Sequence, residues 1–123
     1  MDKVAHFEIP SNNLDKAKEF YSKIFGWESE KYSDEYLTVR TVPIDENKMP
    51  KETGAINGGI QKKGPRAKAV TIVMMVDDID EKLEMIKKAG GKVAIAKEPI
   101  GDMGFYAQFD DLDGNRMGLF QTK

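Results

Sequence analysis

The stretch VAHFEIPSNNLDKAKEFYSKIFGWE (residues 4–28) decides the fold, because its plan returns as VMMVDDIDEKLEMIKKAGGKV (residues 73–93). In each, a short apolar run leads to a polar cap, an amphipathic helix and a glycine stop. Setting Leu14 against Ile79 gives an offset of 65 residues, which also places Asp15 on Asp80 and Gly26 on Gly91. Self-similarity at a fixed offset is the signature of a repeat. Outward from these stretches, the first half continues with WESEKY, EYLTVRTVP and GAINGGIQ, the second with KVAIAKEP, GFYAQFDD and NRMGLFQ. Each half therefore reads β-α-β-β-β. The expectation is one α+β domain over residues 1–123, with module one at 1–63 and module two at 67–123.

Local chemistry supports both helices. Leu14, Ala17, Tyr21 and Ile24 recur at the spacing of one helical face, with Phe20 and Phe25 on its flanks. Asn12 or Asn13 can cap the start, and Gly26 can take the left-handed conformation that ends the helix. In the second helix Ile79, Leu83 and Ile86 form the stripe, Asp77 or Asp78 is the cap, and AGG (residues 89–91) is the stop.

Period two governs the strands. Val4, His6 and Glu8 share one face; Ala5, Phe7 and Ile9 share the other, the one expected against the first helix. Phe105, Ala107 and Phe109 alternate with Tyr106, Gln108 and Asp110 in the same way. DLDGN (residues 111–115) carries Asp-Gly between two apolar runs, a strong hairpin signal. Residues 43–58 read as a long polar excursion, and KEPIGDMG (residues 97–104) as a second loop with prolyl and glycyl hinges.

Composition excludes several functions. The net charge is −2, and Lys and Arg are interspersed with Asp and Glu, so there is no footprint for nucleic acid. Without cysteine there are no disulfides, thiolate metal sites or thiol nucleophiles. AVTIVMMV (residues 69–76) is far shorter than the roughly 20 residues of a membrane helix. No signal-peptide core opens the chain, so no membrane and a cytoplasmic location are expected. Neither phosphate-loop fingerprint is present, and none of Ser11, Ser22, Ser29 and Ser33 lies in a nucleophile elbow.

The two tandem modules, with FDDLDGNRMGLFQ closing the second, resemble the vicinal oxygen chelate superfamily of glyoxalase I, extradiol dioxygenases, and fosfomycin- and bleomycin-resistance proteins. The likeness runs from about Lys3 to Gln121. It implies that the strands form a curved, eight-stranded open half-barrel with a concave site, and that two copies pair as a homodimer. It also implies, in metal-dependent members, a divalent ion on four side chains. These are a His or Gln on the first strand of each module and a Glu or His on the last strand of each. His6 matches the first position, but Thr71 stands at the second, Gly118 at the last strand of module two, and Gly58 or Gly59 at that of module one. One imidazole without its carboxylates makes a poor divalent site. No cofactor is therefore expected, a divalent metal at His6 being the outside case.

What remains is a set of polar and aromatic side chains expected on the concave face. His6 and Glu8 are the candidate catalytic pair, since a carboxylate near a histidine raises its pKa toward neutral. The residues leave open a second reading, a hydrogen-bonded histidine with no turnover. Thr71, Tyr106, Gln108, Phe120 and Gln61 are candidate ligand contacts, with core packing as the plainer role for the aromatics. Trp27 reads as packing. Three function classes stand: a metal-independent protein binding a small organic molecule, a metal-dependent lyase or dioxygenase of the glyoxalase type, and a sequestering, resistance-type protein without turnover. Whether the chain is an enzyme is left open by its sequence.

Overall fold

Asn13 opens the first helix in the computed structural model, which describes every residue from Met1 to Lys123. Its extended backbone lets its side chain accept from the Lys16 N–H, satisfying one of the donors that a helix start leaves orphaned. Gly26, at φ 71°, ends that helix in the left-handed conformation a side chain would disfavour. Asp78 does the same capping for the second helix, accepting from the Glu81 N–H. The caps are thus Asn13 and Asp78, not Asn12 and Asp77.

The elements are β1 (Val4–Ser11), α1 (Leu14–Phe25), β2 (Glu28–Ser33), β3 (Tyr36–Arg40) and β4 (Asn57–Lys62). Then follow β5 (Thr71–Met75), α2 (Ile79–Lys88), β6 (Lys92–Ile100), β7 (Gly104–Asp110) and β8 (Arg116–Thr122). The βαβββ order occurs twice. By contacts the chain forms two compact units, His6–Val70 and Thr71–Lys123, the latter joined by Met1–Ala5.

In the first unit the strands lie in the order β2-β3-β4-β1. β1 and β4 run parallel, while β4–β3 and β3–β2 are antiparallel. In the second unit the order is β5-β8-β7-β6, again one parallel pair followed by two antiparallel pairs. The registers give the repeat in detail. Gly59 lies between Glu8 and Thr38; Gly118 lies between Val73 and Gln108. Glu8 and Val73 are 65 residues apart, the helix offset, so Gly59 answers to Gly118. By the same ladders Tyr36, beside Gln61, answers to Tyr106, beside Phe120.

The strands of each unit bury one face under that unit's own helix. Leu37, Val39 and Ile60 form the first core, against which Phe7, Ile9, Leu14, Ala17, Tyr21 and Trp27 pack. Val76, Ile79, Leu83, Ala107 and Leu119 form the second, joined by Met74, Ile86, Val93, Phe105 and Phe109. The alternation in β1 and β7 thus sends its apolar set to the helix side. Ile24 departs from expectation: it is 56% exposed, with Phe20 and Phe25 exposed beside it. Trp27 takes part in the apolar layer instead. It stacks on Tyr21 with centroids 4.9 Å apart and rings 9° from parallel, and also meets Phe7, so it joins the first core while Ile24 does not.

Two connections differ in character. Residues 43–56 form an excursion pinned at its base by Asn57, whose Oδ1 accepts from the backbone N–H of Thr41 (2.8 Å) and of Val42 (3.2 Å). The Thr41 hydroxyl donates across the same base to the Ile56 carbonyl, 2.7 Å away. The loop expected at 97–104 is mostly strand. β6 continues to Ile100, leaving only Gly101–Met103 as a turn. Pro99 is tolerated there because β6 is the edge strand of its sheet, where a missing N–H breaks no inner ladder. No helix is long and apolar enough to cross a membrane.

Candidate functional site

The side chains opposite α1 begin with the alternation of β1, which puts His6 and Glu8 on the face away from Phe7 and Ile9. Glu8 is 5% exposed, an unusual depth for a carboxylate, while His6 is half-buried. Between them stands a residue the sequence reading did not single out. The Tyr36 hydroxyl, from β3, lies 3.0 Å from His6 Nε2 and donates to Glu8 Oε2 at 3.3 Å. A phenol has one proton, so the donation to Glu8 assigns the other bond: His6 donates its Nε2–H to the phenol oxygen. The order His6 to Tyr36 to Glu8 is a directed chain of donors.

Burial lowers the His6 pKa to about 4, so the imidazole is neutral at neutral pH. This corrects the expectation that Glu8 would raise it. The cause is desolvation, which disfavours the charged ring; the Tyr36 hydroxyl, not the Glu8 carboxyl, is the group His6 Nε2 meets. A histidine with so low a pKa is a poor base, and its useful act here is to donate. Gln61 sits beside Tyr36 in the β3–β4 ladder.

Gly59 makes room for this cluster. A Cβ at that position would fall inside the Tyr36 hydroxyl and ring. At Gly58 it would instead strike the Phe7 ring and carbonyl, on the helix side. Gly59 is therefore the residue at the last-strand ligand position that the resemblance implies.

The second module carries its own polar row. Tyr106, Gln108 and Asp110 alternate along β7, facing Phe120, Gly118 and Arg116 on β8 in that order. Gln108, 2% exposed, donates from Nε2 to the Tyr106 hydroxyl at 2.8 Å. Its Oε1 accepts from Arg116 Nη1 at 3.4 Å, and Arg116 forks onto Asp110 at 2.6 and 3.3 Å. That fork holds the Asp110 carboxyl below the ordinary carboxylate range and raises the arginine. Thr71, buried on β5, stands at the position equivalent to His6.

The candidates thus fall into two groups: His6, Glu8 and Gln61 in the first module, Thr71, Tyr106, Gln108 and Phe120 in the second. Tyr36, Asp110 and Arg116 were missed. The signal for Tyr36 was its ladder equivalence to Tyr106, which a helix offset of 65 does not show, because the chain between helix and third strand is longer in the second module, where β6 outruns β2.

A divalent ion of the family type does not fit this donor set. Thr71, Gly59 and Gly118 stand at three of the four ligand positions, and no group of three or more His, Asp or Glu side chains could hold a metal. His6 Nε2, moreover, directs its proton at the Tyr36 oxygen, whose own proton goes to Glu8.

A family model described as the Glyoxalase/Bleomycin resistance protein/Dioxygenase superfamily matches residues 3–119. No curated protein matches the chain significantly. Among solved structures, a methylmalonyl-CoA epimerase from Streptomyces coelicolor in complex with 2-nitronate-propionyl-CoA superposes with a TM-score of 0.68 at 16% identity, covering 98% of this chain and 96% of its own. A glyoxalase/bleomycin resistance protein/dioxygenase superfamily member from Vibrio splendidus 12B01 gives 0.63 at 16% identity, with 98% and 99% covered. An NAD-dependent benzaldehyde dehydrogenase from Legionella pneumophila gives 0.66 at 16% identity, with 96% and 98% covered. At such identities the likeness is one of fold.

Proposed function

Since the chain belongs to the glyoxalase/bleomycin resistance protein/dioxygenase superfamily, we propose that it binds a small organic molecule against the sheet face carrying His6, Glu8 and Tyr36, and exchanges a proton with it without a metal. One observation carries this reading: a buried carboxylate held by a phenol that is itself held by a neutral imidazole. Such an arrangement costs desolvation and hydrogen-bonding order that a purely structural face does not need.

In this reading Glu8 is the base. It takes a proton from a carbon next to a carbonyl, the C–H electron pair moves toward the carbonyl oxygen, and the proton returns in the reverse step. Tyr36 holds the carboxylate in place and His6 fixes the phenol, so His6 is a positioning residue. Gln61, beside Tyr36, is the proposed ligand contact of this module. Thr71, Tyr106, Gln108 and Phe120 are the proposed contacts of the other. The expected homodimer belongs to the same proposal and is tested by light scattering on the eluting protein.

The experiment is proton exchange in deuterated water, read by mass spectrometry, on a panel of carbonyl acids and acyl thioesters. Methylmalonyl-CoA is one member, chosen because solved neighbours bear that ligand or its epimerase in their names. Deuterium incorporation lost in Glu8→Gln supports the reading. Binding by calorimetry with no incorporation moves the protein to the sequestering class. Incorporation that survives Glu8→Gln removes Glu8 as the base.

A further inference from the structure

We propose that Tyr36 is a built-in replacement for a side chain on β4: its phenol fills the space over Gly59 and keeps metal ions from His6 and Glu8. Gly59 could be glycine for two reasons, conformation or space. Conformation is excluded, because neither Gly58 nor Gly59 is among the glycines with positive φ. Space is what remains, since a Cβ at 59 would clash with the Tyr36 hydroxyl, Cζ and Cε1. No L side chain at 59 coexists with Tyr36 where it stands.

The volume so occupied is also where a side chain from β4 would meet the donors of β1. Gly59 is the ladder partner of Glu8, and parallel partners project to the same side of a sheet. The phenol oxygen lies within hydrogen-bonding distance of both His6 Nε2 and Glu8 Oε2. It engages the donor atoms a cation would need, and it leaves Nε2 protonated, with no lone pair to give. The second module repeats the device more loosely. Gly118, again without positive φ, would bring a Cβ to 3.1 Å from the Tyr106 hydroxyl and 2.9 Å from Val73 Cγ2. A tyrosine from the third strand over a glycine on the last recurs in both halves, although the intervening loops differ in length.

Co²⁺ tests the proposal, because its visible absorption reports nitrogen and oxygen ligation directly. Tyr36→Ala/Gly59→Glu clears the phenol and sets a new carboxylate beside His6 and Glu8. Its affinity for Co²⁺ is expected to exceed that of the unmodified protein by roughly tenfold or more, and the gain to vanish when His6→Ala is added. Equal affinity in the folded double variant and the unmodified protein overturns the proposal, as does a gain that survives His6→Ala. Thermal unfolding supplies a second arm that needs no metal. Gly59→Ala is expected to lower Tm clearly when Tyr36 is present and much less in a Tyr36→Ala background. Equal losses in the two backgrounds overturn the claim that the phenol owns that space. The proposal concerns the same residues as the proton-exchange reading but does not rest on it, since neither Co²⁺ nor unfolding involves an organic ligand.

Discussion

The two modules place a tyrosine over a glycine at equivalent ladder positions, yet they hold that tyrosine by different means. In the first, the phenol accepts from a neutral imidazole and donates to a buried carboxylate. In the second, it accepts from a buried amide whose orientation is fixed by an arginine–aspartate fork. Backbone register decides where the phenol stands; the neighbouring side chains decide its electrostatics. The helices differ too. α2 buries Ile79 and Leu83, whereas α1 buries no residue completely and leaves Phe20, Ile24 and Phe25 exposed.

The largest effect expected from this contrast is in the helices. Ile79→Ala, at a fully buried position, should cost about 2–5 kcal/mol in denaturant unfolding. Ile24→Ala, on the exposed turn of α1, should change stability by about 0.5 kcal/mol or less. Comparable losses at the two sites would erase the distinction between a clamped and an open helix.

Next comes pH, because the single histidine lies in the first module. Its folded pKa, about 4, is below the ordinary 6.5. The unfolded chain therefore binds the extra proton first as pH falls, and the stability His6 contributes is lost between pH 6.5 and 4. The loss is at most roughly 3 kcal/mol, reduced by the partial exposure of the ring. His6→Gln should flatten the stability curve over that window, measured by urea unfolding at closely spaced pH values. A curve equally steep in the variant would show that the imidazole is not the group being desolvated.

Arg116→Met addresses the second module. It leaves Asp110 without its fork and Gln108 without one partner, for an expected loss of about 1–2 kcal/mol, since both charged groups are partly exposed. Because Arg116 lowers the Asp110 pKa, the pair contributes above the ordinary carboxylate range and fades as pH falls through the folded value. The variant should lack that acid-side loss. An unchanged Gln108 side-chain amide signal by NMR would show that Arg116 does not orient the amide that donates to Tyr106.

The smallest effects should be alike in both halves. Asn13→Ala and Asp78→Ala each remove one capping hydrogen bond, about 1 kcal/mol apiece. Thermal melts showing a large difference between them would mean that the halves differ even in their local helix chemistry.

The parts of this molecule legible in its sequence are those set by short-range rules. Caps, glycine stops and two-residue alternation placed both helices and the helix-facing sets Phe7/Ile9 and Phe105/Ala107/Phe109. Ile24 is exposed because periodicity does not say how far along a helix its sheet extends, and the first core takes Trp27 but not Ile24. Pro99 was misread because its tolerance depends on β6 being an edge, which is a matter of topology. The same limit hid Tyr36. Its meaning comes from a glycine 23 positions later on a neighbouring strand, and a mutual fit of that kind appears only once the register is known. His6 itself was visible; its low pKa was not, because desolvation depends on everything folded around it.

Asn57 gives the long excursion a modular quality. By tying Thr41 and Val42 to the start of β4, it closes a ring whose interior has no part in the ladders at its base. Doubling the length of a loop already closed costs only about 0.6 kcal/mol in chain entropy. The segment can therefore be lengthened, shortened or exchanged like a cartridge while its socket stays intact. Asn57 is also the ladder partner of His6. The segment can thus vary in length and side chains beside His6 without touching the ladder that holds the ring in place.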